Sequence, residues 1–354
     1  MNNKEIFENL FVLELANNHW GDLDRGLRII REHGKVVKKN GVKAAVKFQF
    51  RDPKNFVHKD YQKIKMDKEA LSAPGSNTRY VKKTLSTILS EEDYAKLFDE
   101  VRNWGMLVMS TPFDEESVDM CDRLNVDIMK IGSMDTKSWT LIEKIADLGK
   151  PTIISIGGTD IEDFEKVANF FREKEIPLAV NHCVSLYPSE DHELNLNQID
   201  YLRRKYPDYV IGFSTHEYND WHSSMLMSYA KGARTWERHI DIDADGIPVS
   251  KYCSLPNQCD AWFKAFHKAC EMCGDTNHDR QREIPQKERD YVRSVSRGMY
   301  AKRDLKAGSI ISKENLNEDF YFAIPALDNQ YTSRDIDEGI ILKEDVEKDK
   351  PIFR

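Results

Sequence analysis

The chain lacks any long apolar run: across 354 residues nothing approaches the ~18 consecutive apolar residues that a membrane-spanning helix needs. Its start, MNNKEIFENLFVLELANN, has neither the basic head nor the uninterrupted apolar stretch of a secretory signal. A soluble, cytoplasmic protein with no membrane partner is therefore expected. Basic charge is also short. The 52 Lys and Arg against 60 Asp and Glu leave a formal net charge of −8, which argues against nucleic acid as the main partner while leaving room for a locally basic, anion-binding pocket. Cysteine is sparse, at positions 121, 183, 253, 259, 270 and 273, and only Cys270-Glu-Met-Cys273 has metal or redox spacing. One such pair inside a helical stretch, with no second pair to complete a tetrahedral site, reads as structural or incidental, and structural disulfides are not expected. No strand-like run is followed by the GxGxxG of a dinucleotide site.

What the chain has is alternation. FVLELA (11–16), AAVKFQF (44–50), MLVMSTPF (106–113), VDIMKIGS (126–133), PTIISIGG (151–158), IPLAVNHCVS (176–185), YVIGFSTHE (209–217) and TWERHID (235–241) read as strands, each followed by a helical pattern. The runs are almost continuously apolar, as parallel strands buried on both faces are. Eight such units in roughly 265 residues predict an α/β fold of the TIM (β/α)8 barrel type in preference to an open doubly wound sheet. A long polar stretch, 51–90, interrupts the series before SEEDYAKLFDEVRNWG, where Ser90 and Asp93 have capping-box spacing with Asp in place of Glu or Gln.

Barrel enzymes keep their chemistry at the carboxyl ends of the strands. His216 and His239 lie near two such ends, separated by one helix-length segment, so the two imidazoles come side by side on one rim. In isolation, two unrelated histidines that satisfy their own hydrogen bonds would look the same. Here the other strand ends carry matching chemistry: Glu14, Asn17, Asn18 and His19; Lys47 and Gln49; Ser110 and Thr111; Lys130 and Ser133; Ser155; Cys183, Ser185 and Tyr187; Ser214 and Glu217; Glu237. A lysine inside an apolar strand is unfavourable unless it is paired or holds an anion. Either Lys47 or Lys130 alone suits a structural ion pair; both, beside Thr111, Ser133, Ser155 and Ser214, suit a phosphate cradle. A histidine pair with open positions suits a divalent metal and Lewis-acid chemistry, and Glu237, two residues from His239 and so on the same face, is expected to reach water on that metal. Asp241-Ile-Asp243-Ala-Asp245-Gly246 begins like a calcium loop, but Tyr252 stands in place of the closing Glu and Pro248 falls inside. A flexible loop beside the metal rim is expected there instead.

The segments ELANNHWGDLDRGL, VKFQF, STPFDEESVD, KIGS, HCVSLYP, IGFSTHE and ERHI, in this order, resemble the N-acetylneuraminate (sialic acid) synthase family. SVSRGMYAKRDLKAGSIISKENL (294–316) is similar to the opening of the small antifreeze-protein-like (SAF) domain that follows the barrel in that family, and the tail is most similar to the branch labelled spore-coat polysaccharide biosynthesis protein E. The resemblance implies a barrel over 1–280, a SAF domain over 294–354 and a domain-swapped homodimer, and the highly charged run TNHDRQREIPQKERDYVRS reads as the linker, placed at 281–293. It also implies condensation of phosphoenolpyruvate with an open-chain amino-sugar aldehyde to a nine-carbon 2-keto acid and phosphate, in surface polysaccharide biosynthesis. By resemblance His216 and His239 hold Mn²⁺ or Mg²⁺. Lys47, Thr111, Lys130, Ser133, Ser214 and, less firmly, Ser155 bind phosphoenolpyruvate. Glu14, Glu237 and His216 are the catalytic candidates, and Gln49, Asp135, Ser185 and Tyr187 are substrate contacts. Departures from the family pattern fall on the acceptor-sugar side: Met134-Asp135 replaces Gly-Glu, Ser250 an aspartate and Ile324 an arginine. The loop cations Arg51, Lys63, Lys65, Arg79, Lys82 and Lys83 read either as a solvated face or as partners of an anionic acceptor. Two other readings stay open, a synthase of a shorter octulosonate or heptulosonate type and a non-catalytic sugar-binding relative.

Overall fold

The computed structural model describes residues 5–52, 54–62, 77–274 and 280–354, the side chains of 77–80 and 82 excepted. Eight strands form in the expected places: β1 Leu10–Ala16, β2 Lys43–Phe50, β3 Leu107–Pro112, β4 Ile128–Ile131, β5 Thr152–Ser155, β6 Leu178–Cys183, β7 Val210–Ser214 and β8 Thr235–Ile240. Each pairs in parallel with the next, and β1 also pairs with β8, so the sheet closes into the TIM barrel that the alternation predicts. A two-residue strand, β9 Cys253–Ser254, adds to β8.

Side chains along a strand point alternately to the two faces. The outward set, such as Phe11, Leu13, Val46, Phe48, Ile154 and Trp236, belongs to one large apolar layer beneath the helices. The inward set begins apolar: Leu10, Val12, Ala45, Met109, Ile128, Ile153, Ala179 and Val210, joined by Phe7, form a separate plug. Two residues further along the same strands the inward positions become Glu14, Lys47, Thr111, Lys130 and Ser155, all buried. The barrel is therefore dry at one end and charged at the other. Closure across β7 and β8 depends on Gly212. A Cβ there would fall 1.8 Å from Thr235 Oγ1 and 2.2 Å from Asn181 Oδ1, two atoms bonded to each other at 2.6 Å.

The surrounding helices are α1 Leu23–Asn40, α2 Lys59–Gln62, α3 Asn77–Ser86, α4 Glu91–Asn103, α5 Glu115–Arg123, α6 Trp139–Asp147, α7 Ile161–Glu173, α8 Asn197–Lys205, α9 Ser223–Ala230 and α10 Pro256–Cys273. α1 starts on Asp22, whose side chain accepts from Arg25 N, and stops at Gly41 in the left-handed region at φ 63°. Ser90 caps α4 by accepting from Asp93 N, as the spacing predicts. Within the polar stretch 51–90, Lys63 and Lys65 lie outside the described residues, as do the side chains of Arg79 and Lys82.

The chain divides into two compact units, Met1–Gly274 and Asp275–Arg354. The second has its own core of Met299, Ala301, Leu305, Ile311, Phe320, Ile336, Ile340, Leu342 and Ile352. Around it β10 Gly298–Ala301 pairs with β12 Phe320–Ala323, and β11 Ile310–Ile311 with β13 Ile340–Ile341, both antiparallel. Helix α11, Gln286–Val295, forms within the segment expected as a linker over 281–293. Pro285 presets the chain just before the first turn, Glu288 sits in that turn and Arg293 in the last, so the charges that suggested a linker match a helix dipole.

Candidate active site

The charged ends of the strands open into one cavity of about 570 Å³. Register builds its centre: Glu14 on β1 stands opposite Lys47 on β2 and His239 on β8, and Ser214 on β7 opposite Glu237. Lys47 Nζ lies 2.7 Å from Glu237 Oε1 and 3.1 Å from Glu14 Oε2, and Lys130 Nζ lies 2.7 Å from Glu237 Oε2. Ser214 Oγ donates to Glu237 Oε1 at 3.2 Å. Burial alone would raise the Glu237 carboxyl, but Lys130 and Lys47 outweigh it and hold the group well below the usual carboxylate range. Glu14 is likewise lowered: burial opposes ionisation, and His239 and Lys47 overcome it. Glu237, expected beside the metal, thus serves as the counter-ion of both lysines, and the carboxylate against an imidazole is Glu14.

The two histidines come together as expected, their ring centroids 5.6 Å apart. Tyr187 packs 3.9 Å from the His216 ring, and Tyr252 lies 5.2 Å from that of His239. Burial first, then His239, pushes His216 down to about 3, and burial also lowers His239, so burial disfavours the charged form of each ring. His216 Nδ1 is 2.9 Å from the carbonyl of Val184, which can only accept; the proton sits on Nδ1 and the Nε2 lone pair is left for a ligand. His239 Nε2 is 3.2 Å from Glu14 Oε2. This donor chemistry fits a divalent cation. Among the described residues no three His, Cys, Asp or Glu side chains group as a metal cage, so the protein would supply two imidazoles and leave the other positions to water and substrate.

The hydroxyls fall on the same wall. Thr111 Oγ1 and Ser155 Oγ are buried without a hydrogen-bond partner among the described residues, beside Lys47 and Lys130 in the cavity lining. Unpaired buried hydroxyls are costly, and a bound anion would satisfy them. Ser133 Oγ accepts from Gly157 N at 2.9 Å, and Ser185 Oγ donates to Gly157 O at 3.1 Å. Any side chain at Gly157 would put its Cβ 2.4 Å from Ser185 Oγ. Gln49 also lines the cavity.

Asp135 is the exception among the expected contacts, for it is not in the cavity wall. Ser133–Asp135 is a 3-10 turn, whose successive side chains point about 120° apart. Ser133 turns to Gly157 and Met134 into the lining, while Asp135 turns inward to Ser138 Oγ, where burial pushes its carboxyl up to about 6. Ser250 is not in the wall either. The loop after β8, expected to be flexible, is pinned: buried Arg25 on α1 donates to Asp241 Oδ1 at 2.6 Å, Asp245 Oδ2 at 2.8 Å and the Ala244 carbonyl at 3.1 Å. Glu217 lies off the cavity, paired with Arg238 at 2.5 Å. Arg25 and the lining residues Tyr252 and Phe113 went unnoticed as functional in the sequence; the flanking histidine strands were the only signal that could have drawn attention to Tyr252.

Two buried lysines and two buried imidazoles at one rim of a closed barrel narrow the field, and comparison with known proteins decides it. Residues 35–278 match the model of the NeuB family. The chain belongs to the NeuB family. A spore coat polysaccharide biosynthesis protein E from Chromobacterium violaceum is 31% identical, with a TM-score of 0.87 and 98% of each chain covered. A pseudaminic acid synthase of Campylobacter jejuni is 29% identical over 96% of each chain. The N-acetylneuraminic acid synthetase of Leptospira borgpetersenii, solved with citrate, is 25% identical with a TM-score of 0.66, covering 82% of this chain and 91% of that one. This NeuB-family member is an enzyme, a transferase of the synthase kind.

Proposed function

We propose that the enzyme condenses phosphoenolpyruvate with an open-chain sugar or amino-sugar aldehyde to a sialic-acid-like 2-keto acid and phosphate. The observation that carries this reading is one cavity in which buried Lys47 and Lys130, with the unpartnered hydroxyls of Thr111 and Ser155, face the imidazoles of His216 and His239. Among the described residues the wall places Lys47, Lys83 and Lys130 with the carboxylates Glu14 and Glu237, a balance suited to an anion. Lys47, Lys130 and the hydroxyls bind the phosphate and carboxylate, and Glu237 keeps both ammonium groups aligned. His216 and His239 would hold Mn²⁺ or Mg²⁺, which supplies Lewis acidity toward the aldehyde oxygen. The C3 carbon of phosphoenolpyruvate forms the new bond to the aldehyde carbon, whose oxygen ends as a hydroxyl. Water adds at C2, and phosphate leaves with its bridging oxygen, so the C–O bond breaks. Glu14, its Oε2 between Lys47 and His239, handles the proton of that water. Enclosure by the barrel strengthens each of these charges.

Four further assignments belong to the same proposal. The second unit is a SAF domain, supported by the resemblance of 294–316; the enzyme works as a domain-swapped homodimer; it acts in the cytoplasm; and its product enters a surface polysaccharide.

The test is phosphate release from phosphoenolpyruvate with a panel of aldoses, with and without a chelator. Release is expected only with an aldose and restored metal, and the product mass should equal the aldose plus pyruvate. His216→Ala or His239→Ala should lower kcat by about 10³-fold, the equivalent of roughly 4 kcal/mol of lost Lewis-acid assistance. Full activity in chelator, or no release with any aldose, would overturn the reading.

A further inference from the structure

We infer that Arg51 is a positioning residue for this condensation: it fixes the Gln49 amide and, through it, the carboxylate plane of Glu14. The inference rests on the proposed condensation. Arg51 follows β2 directly, and its guanidinium is held over Phe113 at 3.8 Å from the ring centroid and near Phe56 at 5.5 Å. Its NH2 donates to Gln49 Oε1 at 2.9 Å, and Gln49 Nε2 donates to Glu14 Oε1 at 2.6 Å. The other carboxylate oxygen, Oε2, meets Lys47 Nζ at 3.1 Å and His239 Nε2 at 3.2 Å.

The polarity of this chain is forced. A guanidinium can only donate and an ionised carboxylate can only accept, so the amide between them stands one way round. Reversing it would set N–H against N–H at one end and oxygen against oxygen at the other. Each oxygen of Glu14 thereby acquires a fixed role. Oε1 accepts from the amide, and Oε2 faces the imidazole and ammonium where the reacting groups meet. Without Arg51 the amide can flip and the carboxylate can turn about its own axis, presenting either oxygen. A misplacement of this size lowers the rate of a proton-transfer step without weakening substrate binding. Arg51 needs no contact with either substrate to act in this way. The cation that read as a solvated or acceptor-binding charge becomes part of the catalytic framework.

The experiment compares Arg51→Met, Arg51→Lys, Gln49→Met and the Arg51→Met/Gln49→Met double variant in steady-state kinetics, with phosphoenolpyruvate and the best aldose of the panel. Arg51→Met should lower kcat about 10- to 100-fold while KM for both substrates stays within about threefold. Arg51→Lys, which keeps the charge but not the planar fork, should fall between wild type and Arg51→Met, and carries the comparison if the Met variant does not fold. The double variant should be no slower than Gln49→Met, because the amide carries the effect of Arg51 on Glu14. A raised KM with kcat unchanged would make Arg51 a substrate ligand and overturn the inference. Additive losses in the double variant, or wild-type kinetics in Arg51→Met, would do the same. Failure of the wild type to turn over any aldose would instead strike the condensation reading itself.

Discussion

Lys47 and Lys130 share Glu237 yet respond to burial in opposite ways. For Lys47 burial disfavours the ammonium, but Glu14 and Glu237 together prevail and its pKa is raised. Lys130 has Glu237 at close range and Lys47 repelling it, so burial prevails and its pKa is lowered. Both ammonium groups nevertheless rest on the Glu237 carboxylate at 2.7 Å, and Lys47 alone also meets Glu14. Lys130→Met should weaken phosphoenolpyruvate binding by about 10- to 100-fold, the range of a lost charged hydrogen bond, and lower the melting temperature, because Glu237 stays buried with one cation fewer. Lys47→Met should weaken binding and also lower the melting temperature, because Glu14 and Glu237 then press like charges together with one cation fewer. Calorimetry showing unaltered affinity in both variants would return these lysines to a purely structural role.

At the level of elements, the barrel strands were legible because each is an apolar run with its own turn signals, and their observed ends lie within three residues of the runs. The alternation of side chains also made Glu237 and His239, or Lys47 and Gln49, readable as inward-facing sets. His216 was legible in place but not in setting: β7 stops at Ser214, and the ring is fixed beyond the strand by the Val184 carbonyl. Asp135 is placed by a 3-10 turn, which leaves no periodic trace in three residues. The pinned loop was not legible at all. Arg25 and Asp241 are 216 positions apart, and nothing local to either announces the other. Arg25→Leu would leave Asp241 buried without its cation, so a loss of about 3–5 kcal/mol in stability is expected. The same variant should admit protease into residues 241–252. A wild-type melting curve and an uncut loop would show that the latch is idle.

Along the barrel axis the whole molecule separates what holds it together from what it does. The inward plug that includes Ile128 and Met109 is apolar and fully buried, and one alternation further up the same strands stand Lys130 and Thr111. Deleting plug volume removes packing without touching the cavity, so Ile128→Ala should cost about 2–5 kcal/mol in stability and leave kcat/KM unchanged at temperatures below its melt. Thr111→Val is the complementary change. It replaces an unpartnered buried hydroxyl by a methyl of nearly equal volume, relieving an unsatisfied group, so the free enzyme should be as stable as wild type or slightly more so. Its affinity for phosphoenolpyruvate should nevertheless fall, by about tenfold if one hydrogen bond to the anion is lost. Thermal melts and calorimetric titration of both variants check the separation. If Ile128→Ala shifts phosphoenolpyruvate affinity as much as Thr111→Val does, or if Thr111→Val destabilises the free enzyme, the hydroxyl belongs to the packing and the division along the axis fails.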